Sequence, residues 1–524
     1  QKTKVYDMYA RFFRWASNRL NEDGIICFIT NNSFLNARSF DGFRKVIQDE
    51  FDVAYIIDLG GNIRELSGKD GIFLNESHTI FGVAAAVGIA ITYLVKKKSP
   101  EKLPCKIHYI HPCDIRATRN EKLEYLKSYA FNNMPFERIV PDKNHDWINL
   151  ADNDFDDLLS LANKETKLAK SQNEERAVFK LFSLGIATNR DEWVYDINKL
   201  NLKEKIKFFI EKYNSCSDNN FDLSIKWSRD LKKELNSNKK VTFSDKKIVN
   251  CFYRPFIKKY QYGARILNDV LTQNHYDMFG DNLSNENKVI TTMGDSTDKP
   301  FFILTINAIM DLNFVSPASG GTRCFPLYRY DSEGNRTDNI TDWGLNQFQT
   351  HYQDNTITKE NIFHYTYAVL HHPAYRQKYE LNLKREFPRL PFYENFSQWV
   401  NWGKQLMDLH LNYEKAKKYK LKQVDIETNK LNKPKLKADK EAGKIYLDQT
   451  TTLQGIPASA WDYKLGNRSA LEWILDQYKE KKPRDKTIAE KFNTYRFADY
   501  KEHVIDLLKR VCTVSVETLK IIEE

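Results

Sequence analysis

Residues 79–95 read TIFGVAAAVGIAITYLV, seventeen positions without a charge, followed by Lys96-Lys97-Lys98. By length and basic flank alone this is a minimal membrane-spanning helix. Gly82 and Gly88 interrupt it, however, and Val87–Val95 is rich in the β-branched residues that favour strands. A central strand covered by helices on both faces is also a continuous apolar run. In a chain of mean hydropathy −0.61 it is the only such run. The stretch therefore reads as a buried strand, Gly88–Val95, and no membrane partner is expected.

The flanking sequence supports that choice. Met8, Phe12, Trp15, Ala16 and Leu20 recur at helical spacing within Val5–Asn21, and Asp23-Gly24 closes that helix before an apolar strand, Ile25–Ile29. A second helix, Phe40–Phe51, places Phe40, Phe43, Val46 and Ile47 on one face, and Val53–Leu59 is a second strand. Alternating helices and apolar strands predict an α/β domain with a mostly parallel, doubly wound sheet. The pattern enters on a helix, at Gln1 and without an initiator Met. The start of this domain is therefore expected to lie outside the chain.

Further along, Asp152–Lys170 reads as an exposed helix, and Phe182–Trp343 as short apolar runs broken by Asn, Asp and Gly, typical of an α+β domain with long loops. Helices return in Ile362–His371 and Ala374–Arg385, closed by Pro388 and Pro391. Residues 411–445 hold eleven Lys against five Asp and Glu, a stretch read as a solvated helix pair or loop in preference to a DNA phosphate contact. The last segment, from Tyr446, ends in an amphipathic helix.

Composition narrows the class. With 524 residues the chain has room for about three domains. Apolar residues at 41% exclude a disordered chain, and seven unpatterned cysteines exclude a disulfide scaffold and favour a reducing, cytoplasmic setting. A net charge of +10 permits a polyanionic partner without demanding one.

Four clusters could read DNA: Thr188-Asn189-Arg190-Asp191-Glu192-Trp193, Tyr253-Arg254-Pro255-Phe256, Lys258-Lys259-Tyr260-Gln261-Tyr262, and Gly321-Thr322-Arg323. Arg can pair bidentately with guanine and Lys mostly holds phosphate, which nominates Arg190, Arg254, Lys258, Lys259 and Arg323. Cys105, His108, His111 and Cys113 do not face one way on a strand and read as ordinary strand residues, so no metal is expected. Asp58-Leu59-Gly60-Gly61-Asn62 lacks the third glycine of a nucleotide turn and reads as a plain strand-to-loop turn. No Gly-x-Ser-x-Gly, Gly-Lys-Ser/Thr or His-Glu-x-x-His signature occurs, so ATP hydrolysis by this segment alone is not expected.

The opening VYDMYARFFRWASNRLNEDGIICFITNNSFL (Val5–Leu35), FDGFRKVIQDEF and IFGVAAAVGIAITYLVKK resemble the part of gamma-class N6-adenine DNA methyltransferases that follows the catalytic loop. The strings FSLGIATNRDEWVYD, CFYRPFIKKYQY, IFHYTYAVLHHPAYRQKYELNLKREFPRLPF, WGKQLMDLHLNYE and LQGIPASAWDYKLGNRSALEWILDQY resemble the target-recognition half of type ISP restriction-modification enzymes. These are single-chain proteins joining a nuclease, an ATP-driven translocase, an adenine methyltransferase and a recognition domain.

The resemblance implies an incomplete Rossmann-like methyltransferase sheet in 1–175, a DNA-reading α+β recognition domain in 176–445, and its helical C-terminal part in 446–524. It implies a double-stranded DNA partner, with Phe81 stacking on the flipped adenine. It also implies S-adenosylmethionine bound mostly upstream, with ATP and Mg2+ acting in upstream domains only. The Asn-Pro-Pro-Tyr loop and the Gly-rich cofactor loop of the family are absent from this chain, so no catalytic residue is assigned here. The rival expectations are a catalytically empty specificity subunit and an RNA-modifying enzyme on the same fold.

Overall fold

The computed structural model describes residues 6–63, 74–82, 86–98, 103–148, 150, 153–217, 220–294, 300–315, 320–427 and 433–524. The chain forms two compact units, Gln1–Asp152 and Asn153–Glu524.

The first unit is built on a five-stranded sheet. Its strands are β1 (Gly24–Asn31), β2 (Val53–Gly60), β3 (Ile89–Lys96), β4 (Lys106–Ile110) and β5 (Glu137–Ile139), in the order β1-β3-β2-β4-β5. Helices α1 (Met8–Ser17), α2 (Asp41–Glu50) and α3 (Arg119–Ser128) accompany it. The apolar run at 89–96 is a strand, and its position in the sheet explains its composition. One core gathers Ile26, Phe34, Ile47, Ala54, Ile56 and Leu94 on the α1 and α2 side, and another gathers Ile57, Leu59, Ile89 and Ile110 with Tyr125 of α3. Alternate residues of β2 thus feed opposite cores, leaving no face for water.

Two expectations are corrected here. The sheet is not mostly parallel: β3 pairs antiparallel with both β1 and β2, β4 pairs antiparallel with β5, and only β2 and β4 pair in parallel. β1 and β2 do run in the same sense, but β3 lies between them. The stripe Met8, Phe12 and Trp15 of α1 is also not the core face. Those side chains are 56, 53 and 54% exposed, whereas Ala10 and Phe13 are buried. On the edge strand β1, Ile25 and Ile29 are likewise exposed.

The second unit holds two four-stranded sheets beneath helices. The strands of these two sheets are β6 (Ser183–Leu184), β7 (Tyr195–Asp196), β8 (Ile248–Arg254), β9 (Ile257–Tyr262), β10 (Val289–Met293), β11 (Ile303–Ile306), β12 (Ile309–Met310) and β13 (Thr322–Pro326). The sheets run β12-β8-β9-β7 and β11-β10-β13-β6. A third sheet comprises β14 (Lys422–Asp425), β15 (Pro434–Asp439), β16 (Lys444–Asp448) and β17 (Thr451–Gln454), in the order β14-β17-β16-β15. Of the lysine-rich stretch, Lys422–Asp425, Pro434–Asp439 and the start of β16 are strand, and the described residues between them are turn or loop, so it is not a helix pair. The unit's helices include α4 (Lys199–Ser215), α5 (Lys359–Val369), α6 (Phe396–Leu411), α7 (Ala470–Gln477) and α8 (Lys501–Glu523). Asp152–Lys170 is not an exposed helix either. Among its described residues the one α-helical turn is Lys164–Leu168, and Phe155 and Leu161 are buried in the second unit's core.

Candidate nucleic-acid interface

In the first unit, polar groups collect where β1, β2 and β4 end and β3 begins. Asn32 Nδ2 donates to Asp58 Oδ1 at 2.8 Å, the Gly60 N–H donates to the same oxygen at 3.0 Å, and the Tyr109 hydroxyl donates to Oδ2 at 3.1 Å. The Asp58 carboxylate, 6% exposed, is thus held by the chain itself. Burial and the adjoining Asp58 push the Tyr109 phenol far up.

The glycine turn has a packing explanation. Gly60 and Gly61 have φ of +58° and +85°, and a Cβ on Gly61 would lie 2.8 Å from the His78 carbonyl oxygen and 3.1 Å from Lys122 Nζ. Lys122 Nζ in turn donates to that carbonyl at 2.7 Å. The space beside the turn is filled by protein, so these residues do not fit S-adenosylmethionine. His108 lies on β4 with its ring stacked on Tyr55 at 4.7 Å, while His111 Nδ1 bonds the Asp58 carbonyl oxygen. Among the described residues, no three His, Cys, Asp or Glu side chains group as a metal site would require.

Phe81 lies in the loop before β3 at the same end of the sheet. Its ring is 54% exposed, and among the described residues no other ring packs on it. Ligand sites of open α/β sheets lie at such carboxyl ends.

In the second unit the five nominated cations separate. Arg254 ends β8, and the tight turn Pro255-Phe256 leads into β9. Phe256 has φ of +60°, a conformation a glycine normally supplies, yet its side chain is 1% exposed and packs on Tyr413 at 5.1 Å. A non-glycine residue there costs about 1–3 kcal/mol, offset by burial of the ring. The turn places Arg254 Cζ 4.0 Å from the Tyr253 ring centroid and Lys259 Nζ 3.9 Å from it. Arg254 Nη1 donates to Asp311 Oδ1 at 2.8 Å, and the Tyr253 hydroxyl donates to Asp191 at 3.2 Å.

Burial shapes the charge of this cluster. It lowers Lys259 to about 8, with Arg254 adding to the effect. It raises Asp311 to about 6 despite the neighbouring Arg254. Tyr253, Arg254 and Lys259 line a cleft of about 920 Å3 that Lys481, Lys482 and Arg484 also border.

Arg190 is close by but turned inward. Its guanidinium, 0% exposed, donates to the Leu267 carbonyl at 2.8 Å and to Ser228 Oγ at 2.5 Å, and pairs with Asp269 at 2.9 Å. Every neighbour in its string is engaged as well: Thr188 bonds Asp191, Asn189 bonds Asp269, Glu192 accepts the Arg484 and Asp485 N–H groups, and Trp193 donates to Asp485. The string is a structural hub.

Lys258 faces the opposite side of β9 from Lys259, because side chains alternate along a strand. It pairs with Glu414 at 2.5 Å and lies over Phe252 and Tyr413. Arg323, on β13 of the other sheet, lies 5.3 Å from the Phe387 ring centroid. The structure therefore brings Arg254 and Lys259 together and leaves Lys258 and Arg323 apart. Asp311 and the Lys479–Arg484 segment escaped the sequence reading, although KEKKPR at 479–484 is a visible basic signal.

Comparison with known proteins gives this geometry its context. The family model of the Type ISP C-terminal specificity domain matches residues 177–507. This chain belongs to the Type ISP family. The model of the Eco57I restriction-modification methylase matches residues 1–63, so a methylase-related fragment precedes the Type ISP specificity domain. Three solved structures are similar over the whole of this chain. The cryo-EM structure of a DrdV–DNA complex is 44% identical, with a TM-score of 0.90 and 52% of that chain covered. A nuclease-deletion mutant of the Type ISP enzyme LlaGI, in complex with a DNA substrate mimic, is 32% identical, with a TM-score of 0.81 and 48% covered. The ATP-dependent Type ISP enzyme LlaBIII, bound to DNA, is 28% identical, with a TM-score of 0.83 and 34% covered. This Type ISP chain thus spans about half the length of the first two. No curated protein matches it.

Proposed function

We propose that this chain is the methylase-tail and target-recognition part of an enzyme that binds a specific duplex DNA site and methylates adenine at N6. The methyl group comes from S-adenosylmethionine, held by residues outside this chain. ATP- and Mg2+-dependent translocation and cleavage belong to upstream parts of the same polypeptide. The observation that carries the reading is the likeness along the entire chain, at 44% identity, to DrdV, determined as a DNA complex.

The five-stranded sheet is read as the latter half of a doubly wound methyltransferase sheet. Its edge supports this: among the described residues β1 has one strand neighbour, and Ile25, Ile29, Met8, Phe12 and Trp15 are left in solvent. Burying such side chains is worth about 1.5–3 kcal/mol each, so an upstream element is the expected cover. The functional division assigned is 1–175 for the methylase portion, 176–445 for DNA reading, and 446–524 for the helical end of the recognition part. The site of action is the cytoplasm. Among the described residues no helix is long and apolar enough to cross a membrane.

Phe81 is assigned the flipped-base platform, since an adenine leaving the duplex needs an apolar face to stack on. Arg254 and Lys259 are assigned to DNA at the cleft, with Lys258 and Arg323 as separate phosphate contacts and Arg190 as a positioning residue. The test is methylation by the intact enzyme carrying Phe81→Ala. Loss of the stack should slow methylation of a paired adenine much more than of a mismatched one, because flipping is costlier from an intact pair. Unchanged activity on paired duplex overturns the assignment.

A further inference from the structure

The third sheet of the second unit has one buried and one open face. Leu436, Ile445, Leu447 and Leu453 point into the core and are nearly inaccessible. The cross-strand partners on the open face are Lys437, Tyr446, Thr452 and Val424 in one row, and Asp439, Lys444, Gln454 and Lys422 in the next. Lys435 joins them through the irregularity between Pro434 and Lys437, its Nζ 5.2 Å from the Tyr446 ring centroid. Four lysines therefore share a face about four strands, or roughly 14 Å, across.

Asp439, opposite Lys444, is the acid set among them, and other acids nearby are bonded elsewhere. Asp448 pairs with Lys501 at 2.8 Å and accepts the Thr450 and Thr451 N–H groups. Asp425 accepts from Thr451 Oγ1 at 2.6 Å and from Gln423. Asp439 accepts the Ala442 N–H at 3.1 Å. Glu472 pairs with Lys440, and Asp506 with Lys418. Among the described residues, Lys422, Lys435, Lys437 and Lys444 make no ion pair. Like charges packed on one sheet face repel, so this composition is costly unless an anion meets it. Interleaved Tyr446, Thr452 and Gln454 add hydroxyl and amide groups of the kind that bond phosphate oxygens.

We propose that the open face of the β14-β17-β16-β15 sheet is a second DNA contact, gripping the phosphate backbone outside the recognised site through Lys422, Lys435, Lys437 and Lys444. The assignment rests on the DNA-binding reading above and adds to it a surface with a distinct role. It holds duplex of any sequence, while the Arg254 cleft discriminates among sequences. An extended backbone contact of this kind makes affinity steeply dependent on salt and leaves sequence preference untouched.

The experiment compares the intact protein with a Lys422→Gln, Lys435→Gln, Lys437→Gln, Lys444→Gln variant. Binding to a target duplex and to an unrelated duplex of equal length is measured by fluorescence anisotropy from 50 to 300 mM salt (roughly the range over which counterion release is read). All four changes lie on the open face, and an unchanged thermal melt shows that the sheet survives. The slope of log affinity against log salt should become shallower by about 3–4, since each phosphate no longer neutralised removes about 0.9 from it, with the ratio between the two duplexes preserved. An unchanged slope in a variant that melts normally, while the unaltered protein binds duplex, overturns this proposal alone. An unaltered protein that binds neither duplex overturns the DNA reading with it. A weakening confined to the target duplex assigns the face to sequence reading and overturns the phosphate role.

Discussion

Arg254 Nη1 and Asp311 Oδ1 meet at 2.8 Å across 57 positions of sequence, at the end of two adjacent parallel strands, β8 and β12. Asp311 is 1% exposed, so this carboxylate serves to hold the arginine beside the Tyr253 ring and aim it into the cleft. Arg254→Ala should weaken binding to the target duplex by about 10–100-fold, the scale of one bidentate base contact, and unrelated duplex by much less. Equal weakening on the two duplexes in an anisotropy titration would remove Arg254 from sequence reading.

The same pair has a pH signature. Asp311 is raised from 3.8 to about 6, so the folded protein binds a proton there more readily than the unfolded chain does. Its stabilising contribution is complete below pH 3.8 and is lost as pH rises through about 6, on the order of 3 kcal/mol in all. Asp311→Asn should flatten that part of the stability–pH profile. Denaturation midpoints of the two proteins that run parallel between about pH 4 and 7 would contradict the linkage.

Arg190→Ala should act on folding before it acts on DNA. Removing one partner of a buried ion pair costs about 3–5 kcal/mol, and here Asp269 and the Leu267 carbonyl would lose a donor together. The check is the urea midpoint, and a variant as stable as the parent would return Arg190 to the DNA-facing cations.

His410 predicts acid sensitivity. Its ring accepts or donates within a closed set of Tyr367, Thr518 and Tyr463 hydroxyls, and burial lowers it to about 3. The folded state cannot take the proton that the unfolded chain takes at its ordinary value of 6.5. Stability is therefore full above pH 6.5 and falls as pH drops towards 3, by about 2 kcal/mol on reaching about pH 5. His410→Gln should be less stable than the parent at about pH 7 but lose less between about pH 7 and 5, which thermal melts would reveal.

Gly403 sets the spacing of α5 and α6. A Cβ there would lie 1.8 Å from the His364 carbonyl oxygen, which is backbone and cannot swing aside. Gly403→Ala should cost about 1–3 kcal/mol by forcing the helices apart, although alanine is the better helix former. A melting temperature at or above the parent's would refute the close approach.

Much of the fold is legible in one dimension because the relevant signals are local. The 79–95 run is assigned to a strand by its glycines and branched residues, and apolar spacing finds the helices at 41–50 and 359–369, although the Thr358–Asn361 cap that starts the second three residues before Ile362 goes unread. Resemblance in short strings points to the Type ISP family, since those strings are cores and turns whose residues are tied to one packing. Strand neighbours are not legible: nothing local says that β3 inserts between β1 and β2. The strands within 411–445 are missed for a related reason, because their inward residues, the buried Leu436 and the partly buried Ala438, are too few to announce a strand.

The order of residues is enough for the apolar strands, the helical segments and the pool of cations from which a DNA surface is drawn. Which of those cations face outward is a matter of three-dimensional packing. Arg190 and Arg254 are equal candidates as letters, one followed by Asp191, Glu192 and Trp193 and the other set between Tyr253 and Pro255, yet one guanidinium is enclosed by Leu267, Ser228 and Asp269 and the other lies at a cleft. Exposure and pairing are properties of distant segments brought together, and a charge costs too much to bury without the partner those segments supply.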